Sequence, residues 1–461
     1  MTVMNRRDFL YGMSGALVGG ARALPVEGAV TERPDARDSF MISNVSVFDS
    51  ARGVLVPDQT VVIQDDVIAA VGTGVRDDSF DVTRIDGRGK YLLPGLIDAH
   101  VHLSHILYQS HMTGDEILPF FLAHGVTSVR STGDNVPAQR LVQRHAERTP
   151  HTSPRVFMAS FLIGGSPAHH PDVGWSLDKP EDVPEFVAHM AAWGVTTLKL
   201  YINVAPEVGR RVIEEGHRHG LMVAGHLTSY HPSDAIRDGI DSLEHIYTVA
   251  DFIRRDPDDR HSVDLRSDAA KRLIDQIAES QVFVDPTLMV FWGTLFFVDD
   301  PQVIEHADNA SMPRRLLDFW HLDNPRRLDS FSSGPIAVRR GTFQTYMELV
   351  GLLHRAGARV LVGTDAPEPQ VPPGSSLHHE MEFLVQSGMS PAEVLSAATL
   401  VNARVLKADD RIGSVTPGKK ADLVLLDANP LTDIRNTRRI SHVFKDGAAL
   451  LPAEILTAAP R

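Results

Sequence analysis

Residues 92–103 read LLPGLIDAHVHL, an apolar run that Pro94-Gly95 interrupts and that ends in two histidines one residue apart. The part GLIDAH has the length and composition of a buried β-strand. Because residues i and i+2 of a strand share a face, His100 and His102 can bind the same metal ion. A His-x-His motif alone is a weak signal, since short motifs recur by chance. The rest of the chain must therefore show whether these two histidines belong to a metal site.

Seven further apolar runs follow, and patterns typical of amphipathic helices separate them. They are GVTSVR (125–130), RVFMAS (155–160), VTTLKLY (195–201), LMVAGH (221–226), DSLEH (241–245), VFVDPT (282–287) and RVLVGTD (359–365). One helix is predicted to begin at Pro206 and to end at Gly220. Eight strands that alternate with helices predict an α/β fold, a (β/α)8 TIM barrel over residues 96–406, with its functional residues at the C-terminal strand ends.

Both ends of the chain carry short alternating patterns instead. Residues 38–95 include MISNVSVFDS and TVVIQDDVIAAVG, and residues 407–455 include ADLVLL (421–426) and Ile440 to Phe444. Gly, Asp and Pro-Gly turns separate these segments. We expect the two ends to form one small β-sandwich domain together.

The composition limits the possible functions. The formal net charge is −14 and Lys and Arg form no long block, so neither nucleic acid nor an anionic membrane surface is the expected partner. No run beyond the N-terminus is apolar enough for a membrane span. The expected partner is a small-molecule substrate, and the sequence leaves a homo-oligomer open. Because the chain has no cysteine, a metal ion would be held by His, Asp, Glu or a modified Lys.

Residues 1–25 resemble an export signal. Arg6-Arg7 precede Phe9-Leu10, a weakly apolar, glycine-rich run and the small-x-small pattern Ala21-Arg22-Ala23. These features predict a twin-arginine signal and the twin-arginine export machinery as a partner of the precursor, although Tyr11 replaces a basic residue that is common there. The predicted location is periplasmic or secreted; if the signal is wrong, it is cytoplasmic.

Six polar residues fall at the C-terminal ends of the predicted strands: His100, His102, Lys199, His226, His245 and Asp365. Several have ordinary alternatives, since His226 could be a core histidine and Asp365 could cap a helix. Glu244 and His245 are neighbours on one strand, so only one of them is expected to face the barrel mouth. Six such coincidences in register with one barrel nevertheless indicate a single metal site.

These residue types suit Zn²⁺ and similar divalent ions. A lysine ammonium group cannot bind a cation, but burial and nearby metal charge lower its pKa. The neutral amine can add CO₂ to form a carbamate, whose two oxygens can bridge two ions that hold an attacking hydroxide. The predicted cofactors are therefore two divalent metal ions, with Zn²⁺ as the expected metal, and a CO₂-derived carbamate on Lys199.

Together these motifs resemble the amidohydrolase superfamily, specifically its binuclear branch with a carboxylated lysine. GLIDAHVH, TLKLY, VAGH, SLEH, GTDA and the closing VTPGKKADLVLLDANPLTDI carry the resemblance. It implies a buried metal held by His100 and His102, a more exposed metal held by His226 and His245, Lys199 as the bridge, and Asp365 as ligand and proton shuttle.

Within this superfamily the chain is most similar to metal-dependent prolidases, other Xaa-amino-acid dipeptidases and ochratoxin-type amidases. Imidazolonepropionases lack the bridging lysine, so Lys199 argues against that activity. The dipeptidases usually carry a Thr-Gly-Gly-His-like segment after strand three, where this chain has FLIGGSPAHHP with His169 and His170 displaced. This departure leaves dipeptide specificity open.

The expected function is metal-dependent hydrolysis of an amide C–N bond in a small molecule such as an N-acyl amino acid, a dipeptide or an aryl amide. Asp365 would move the proton from the nucleophile to the leaving amine. The alternatives are a carbamate, urea or cyclic amide substrate, or a mononuclear deaminase of the same superfamily, which would lack the bridging lysine. A binding protein that had lost catalysis would have lost several of the six ligands.

Three residues are predicted to contact the substrate from above the metals. Tyr201 lies two residues beyond Lys199 on the same strand face and could bind the developing oxyanion, or it could pack under a loop. His169 and His170 could reach the substrate from the loop after strand three, or they could be solvated.

Two further expectations concern the rim of the site. Arg130 could meet a substrate carboxylate, or it could pair with Asp134 or another acid. Residues 291–340, rich in Phe and Trp, could form an apolar lid over the mouth, or a peripheral helical pair with its own core.

Overall fold

The strands form two sheets, one from the middle of the chain and one from both of its ends. The computed structural model describes residues 39–75, 82–105, 110–297, 299–321, 334–457 and 459–460, and the predicted export signal lies outside these residues. Within them the strands are β1 (Ser39–Asp49), β2 (Val54–Gln64), β3 (Val67–Gly72), β4 (Val82–Asp86), β5 (Tyr91–Pro94), β6 (Leu96–Val101), β7 (Val126–Ser131), β8 (Arg155–Gly164), β9 (Gly174–Ser176), β10 (Thr197–Leu200), β11 (Met222–Gly225), β12 (Ser242–Glu244), β13 (Phe283–Asp285), β14 (Arg359–Val360), β15 (Leu423–Leu426), β16 (Ile440–Lys445) and β17 (Ala448–Leu450).

Eight parallel strands form the barrel in chain order. β6, β7, β8, β10, β11, β12, β13 and β14 are successive neighbours, and β9 pairs with β8. Backbone hydrogen bonds close the ring, because the N–H of Ala99 donates to the carbonyl of Val362 at 3.0 Å and the N–H of Asp365 donates to that of His100 at 2.8 Å. Each of the eight predicted strands coincides with one of these, so the (β/α)8 barrel is confirmed.

Helices connect the barrel strands. The helix predicted from Pro206 runs to Arg218, and Gly220 follows with a φ of +72° that ends it. No helix in the described ranges is long and apolar enough to cross a membrane. The α-helices are α1 (Leu118–Ala123), α2 (Val136–Arg148), α3 (Val183–Ala192), α4 (Pro206–Arg218), α5 (Pro232–Arg237), α6 (Tyr247–Ala250), α7 (Asp268–Glu279), α8 (Leu288–Val290), α9 (Pro301–Ile304), α10 (Arg314–Trp320), α11 (Ile336–Ala356), α12 (Ser375–Gln386), α13 (Pro391–Ser396), α14 (Asn402–Val405) and α15 (Pro452–Thr457).

The second sheet combines strands from both ends of the chain, as their patterns predicted; the division into domains stays a prediction. The sheet runs β17-β16-β15-β5-β1-β2-β3, and β4 also pairs with β1. The hydrogen bonds form one continuous path, in which β5 joins the N-terminal strands to the C-terminal ones. A separate apolar core lies within it: Phe40, Ile42, Val45, Val47, Val61, Ile63, Ile68, Leu92, Ala421, Leu423, Leu425 and Phe444.

Gly95 is the single residue between the two sheets. β5 ends at Pro94 and β6 begins at Leu96, so the chain passes from the small sheet into the barrel here. A Cβ atom on Gly95 would lie 2.0 Å from Oγ1 of Thr127, far inside van der Waals contact. The position therefore needs glycine because β7 packs directly against the backbone.

Candidate metal centre and active site

The barrel places the six predicted ligands at one mouth. Each lies in the last two residues of a strand or in the segment that follows it: β6 for His100 and His102, β10 for Lys199, β11 for His226, β12 for His245 and β14 for Asp365, and all six are buried. The ring centroids of His100 and His245 lie 4.7 Å apart, as do those of His226 and His245. The structure thus brings the six predicted residues together, and their role as metal ligands remains a prediction.

Four atoms of this set are buried polar atoms without a hydrogen-bond partner: Nε2 of His100, Nζ of Lys199, Nε2 of His226 and Oδ1 of Asp365. Native proteins leave few such atoms unsatisfied, so a cluster of them needs a physical explanation. Oδ1 of Asp365 lies 2.9 Å from Nε2 of His102 and 3.5 Å from Nε2 of His100. These nitrogens and oxygens are the donor atoms that divalent metal ions prefer, and the residues present therefore fit a metal centre.

The far nitrogens of three histidines are held by the protein. Nδ1 of His100 donates to Oε2 of Glu244 at 2.7 Å, and Nδ1 of His102 donates to the carbonyl of Gly133 at 3.0 Å. Nδ1 of His245 lies 2.7 Å from Oγ1 of Thr287. Because a carboxylate and a carbonyl can only accept, Nδ1 carries a proton in the first two rings, and Nε2 is the nitrogen that would bind a metal ion.

Three residues at the barrel mouth adopt a backbone conformation that is rare outside glycine. His245, Thr287 and Asp365 have φ values of +63°, +45° and +69°. Such strain of the order of 1–3 kcal/mol per residue is typical of functional sites. At His245 the chain also leaves the extended alternation, so His245 lies at the mouth while Glu244 points into the barrel beneath it.

Lys199 is the buried lysine of the site. Only 1% of the residue is exposed, and burial lowers its pKa to about 8. Gly133 makes room for it, since a Cβ there would lie 3.0 Å from Cγ of Lys199. A substantial fraction of the amine is therefore neutral near pH 8, which is the form that reacts with CO₂.

Aromatic rings form the wall above the metal centre. The ring of Tyr201 lies 4.6 Å from that of His226, and His169 and His170 lie 6.1 and 5.7 Å from Tyr201. The structure therefore places all three predicted contact residues at the mouth. Tyr247, which the sequence reasoning missed, stacks on His245 at 5.7 Å, and its position two residues further along the chain was the available signal.

Arg130 lies beneath the mouth instead of facing the substrate. The side chain is fully buried, and its Nη2 donates to both oxygens of Glu244 at 2.8 and 3.1 Å. A contact with a substrate carboxylate is therefore excluded by position, and an ion pair with an acid is what the structure has. That acid is Glu244 and not Asp134, whose Oδ2 accepts from the backbone N–H of Leu103 at 2.7 Å.

Sequence reasoning missed two further polar residues near the ligands. Asp285 ends β13 and is fully buried, and burial raises its pKa. His105 lies three residues after His102, with its ring 5.1 Å from that of His102 and 5.4 Å from that of His170. Two signals were available in the sequence: the acid in VFVDPT and the third histidine of HVHLSH.

The aromatic segment after β13 packs into the protein. Phe291, Phe296 and Trp320 are each at most 1% exposed and belong to the main hydrophobic core. The Phe291 ring contacts Tyr247 at 5.6 Å, so the segment supports the wall of the site from behind. Residues 322–333 of the predicted lid lie outside the described residues.

Known proteins share this fold and sequence pattern. A model of the amidohydrolase family matches residues 91–450. An imidazolonepropionase of Brevibacillus brevis is 24% identical over 444 residues, covering 84% of this chain and 88% of its own. A structure of bottromycin amidohydrolase has a TM-score of 0.72 and 25% identity, covering 93% of this chain and 91% of its own. A putative prolidase from Bifidobacterium longum has a TM-score of 0.65 and 24% identity, covering 90% and 94%.

Proposed function

The chain belongs to the amidohydrolase family, and we propose that it is a metal-dependent amidase with two divalent ions, expected to be Zn²⁺, and a carboxylated Lys199. The family and the relatives named above are hydrolases of C–N bonds, and this enzyme is one as well. The observation that carries the finer proposal is the convergence of four buried donor atoms without partners, one of them Nζ of Lys199.

Two sets of residues would hold the ions. His100, His102 and Asp365 would hold the deeper ion, His226 and His245 the other, and the modified Lys199 would lie between them. When bound, the ions supply Lewis acidity and lower the pKa of water toward about 7. A mononuclear deaminase would not need a residue that bridges two ions. Nζ of Lys199, which is buried and has no hydrogen bond, would then have no function.

The bridge forms by a simple addition. The neutral amine of Lys199 forms a C–N bond with CO₂ and releases one proton, which leaves a carbamate with one negative charge. The cationic ammonium group, whose burial in this site is costly, thereby becomes an anion with two oxygens. Burial of Lys199 favours the reaction because it lowers the pKa of the amine to about 8.

Asp365 is placed to move protons. Its carboxylate follows the last barrel strand, is 7% exposed, and lies at the same mouth as the phenol ring of Tyr201. The carboxylate would accept the proton of the attacking water and pass it to the leaving amine. The hydroxyl of Tyr201 would donate to the oxygen on which negative charge develops.

The substrate is proposed to be a small molecule with an amide bond, such as an N-acyl amino acid, a dipeptide or an aryl amide. The wall of Tyr201, Tyr247 and His170 offers ring faces and neutral donors rather than a cation. A panel of N-acyl amino acids, dipeptides, aryl amides and carbamates, assayed with the metal-loaded enzyme, tests this. An amino-purine is added to the panel as a control substrate for deamination. Turnover of carbamates alone, or of the amino-purine alone, would reject the amidase assignment.

A further inference from the structure

We propose that Glu244, held by Arg130, is a positioning residue that fixes which nitrogen of His100 faces the metal centre. The inference rests on the proposed metal centre, and it assigns a role to two buried charged residues that touch neither substrate nor metal. His100, Glu244 and Arg130 are all fully buried.

The first step is the hydrogen bond on His100. Oε2 of Glu244 lies 2.7 Å from Nδ1 of His100, and an ionised carboxylate can only accept. The proton of the neutral ring is therefore on Nδ1, and Nε2 keeps its lone pair. This Nε2 is a buried atom without a partner, 3.5 Å from Oδ1 of Asp365.

The second step is the fixation of Glu244 itself. Nη2 of Arg130 lies 2.8 and 3.1 Å from its two oxygens, and Oγ of Ser242 donates to Oε1 at 2.5 Å. Nε of Arg130 donates to the carbonyl of Ala99 at 2.5 Å. Arg130 thus binds both the carboxylate of Glu244 and the backbone of Ala99, the residue that precedes His100.

Glu244 is the acid within hydrogen-bond distance of Nδ1 of His100. The nearest alternative, Asp285, has its Oδ2 3.7 Å from Nδ1 of His100, beyond hydrogen-bond distance. Oδ2 of Asp285 also lies 3.7 Å from Nη2 of Arg130. The guanidinium group of Arg130 is therefore the cation that lies against both acids.

The substitution Glu244→Gln tests the proposal. Nη2 of Arg130 contacts both oxygens of this carboxylate and can only donate, so an amide NH₂ that replaces either oxygen faces a donor. Facing Nδ1 of His100, it would favour the tautomer with the proton on Nε2, which cannot bind a metal ion. We expect the affinity for one of the two ions to fall about 10–100-fold, the usual effect of losing such an outer contact.

The control is Glu380→Gln. Glu380 is an equally buried carboxylate on α12, but it accepts from the backbone N–H groups of Leu288 and Met289. Zn²⁺ affinity is measured by competition with a chromophoric chelator, and the melting temperature by calorimetry. Both variants should melt lower than the wild type, whereas only Glu244→Gln should bind one ion more weakly.

The outcomes separate the two proposals. A wild-type protein that does not bind two ions contradicts the proposed metal centre. A wild type with two ions and a Glu244→Gln variant with unchanged affinity, or with a loss no larger than that of Glu380→Gln, overturns the positioning role. If Glu244→Gln does not fold, Arg130→Lys replaces it in the test. This variant keeps the positive charge but loses the planar guanidinium group that holds Glu244. Unchanged metal affinity in Arg130→Lys would also overturn the positioning role.

Discussion

Oδ1 of Asp365 lies 2.9 Å from Nε2 of His102, so the segment that follows the last barrel strand meets the residue that follows the first. This contact closes the ring of candidate ligands at the same place where the barrel itself closes. The backbone does the same, because the N–H of His102 donates to the carbonyl of Ala366 at 2.8 Å. The geometry of the site therefore depends on barrel closure.

Asp365→Asn should leave the fold intact and lower kcat by about 10²–10⁴-fold, because an amide retains the shape but cannot accept the proton. Steady-state kinetics on the substrate found in the panel, with metal content measured in parallel, would check this. Near-normal turnover with full metal content would remove Asp365 from the proton path.

Reconstitution of the metal-free protein with Zn²⁺ and CO₂ should accelerate with pH. Burial lowers the pKa of Lys199 to about 8, so the reactive neutral amine increases about tenfold per pH unit below that value and then levels off. The recovery rate of activity at a fixed concentration of dissolved CO₂ measures this. A flat profile between pH 6.5 and 8.5 would show that a neutral Lys199 is not required.

Gly95→Ala should destabilise the protein by about 1–3 kcal/mol, because the new Cβ would overlap Oγ1 of Thr127 and force β7 from β6. Gly341→Ala is the matched control: it lies in α11, and a Cβ there meets nothing within 4 Å. That variant should be neutral or up to about 1 kcal/mol more stable. Chemical denaturation measures the free energy of unfolding of both variants. Equal values would refute the close packing of Thr127 against the backbone of Gly95.

Arg6 and Arg7 are the twin arginines of the predicted export signal. Replacing both by lysine keeps the charge but should abolish transport by the twin-arginine machinery, so that the protein accumulates in the cytoplasm. Fractionation of cells that express each form measures the distribution. Equal distributions of the two forms would show that the first 25 residues are not such a signal.

The sequence predicted the architecture well because eight apolar runs alternate with patterns of amphipathic helices. The positions of His226 and Asp365 at strand ends were enough to place them at one mouth. It predicted Arg130 poorly, since a strand-end position does not show whether a side chain points up to the substrate or down to a partner such as Glu244. The partner comes from a strand more than one hundred residues away, and only the folded barrel brings the two together.

Alternation along a strand predicted that only one of Glu244 and His245 faces the mouth, but it did not predict that both side chains point into the barrel. The rule holds only while the backbone is extended, and His245 has a φ of +63°. Histidine is enriched among the few non-glycine residues with positive φ, but this preference is too weak for SLEH alone to predict the turn. The second acid of the network, Asp285, was missed for a simpler reason: its strand was recognised, but its terminal residue was not weighed.

The most direct test of the central claim is the metal content per chain of the wild type and of Lys199→Ala. Lys445→Ala is the matched control, because Lys445 is also buried but pairs with Asp422 at 3.2 Å in the small sheet. We predict two ions in the wild type and in Lys445→Ala, with at most one ion and no activity in Lys199→Ala. One tightly bound ion in the wild type, together with a Lys199→Ala variant that keeps its ion and its activity, would contradict the account.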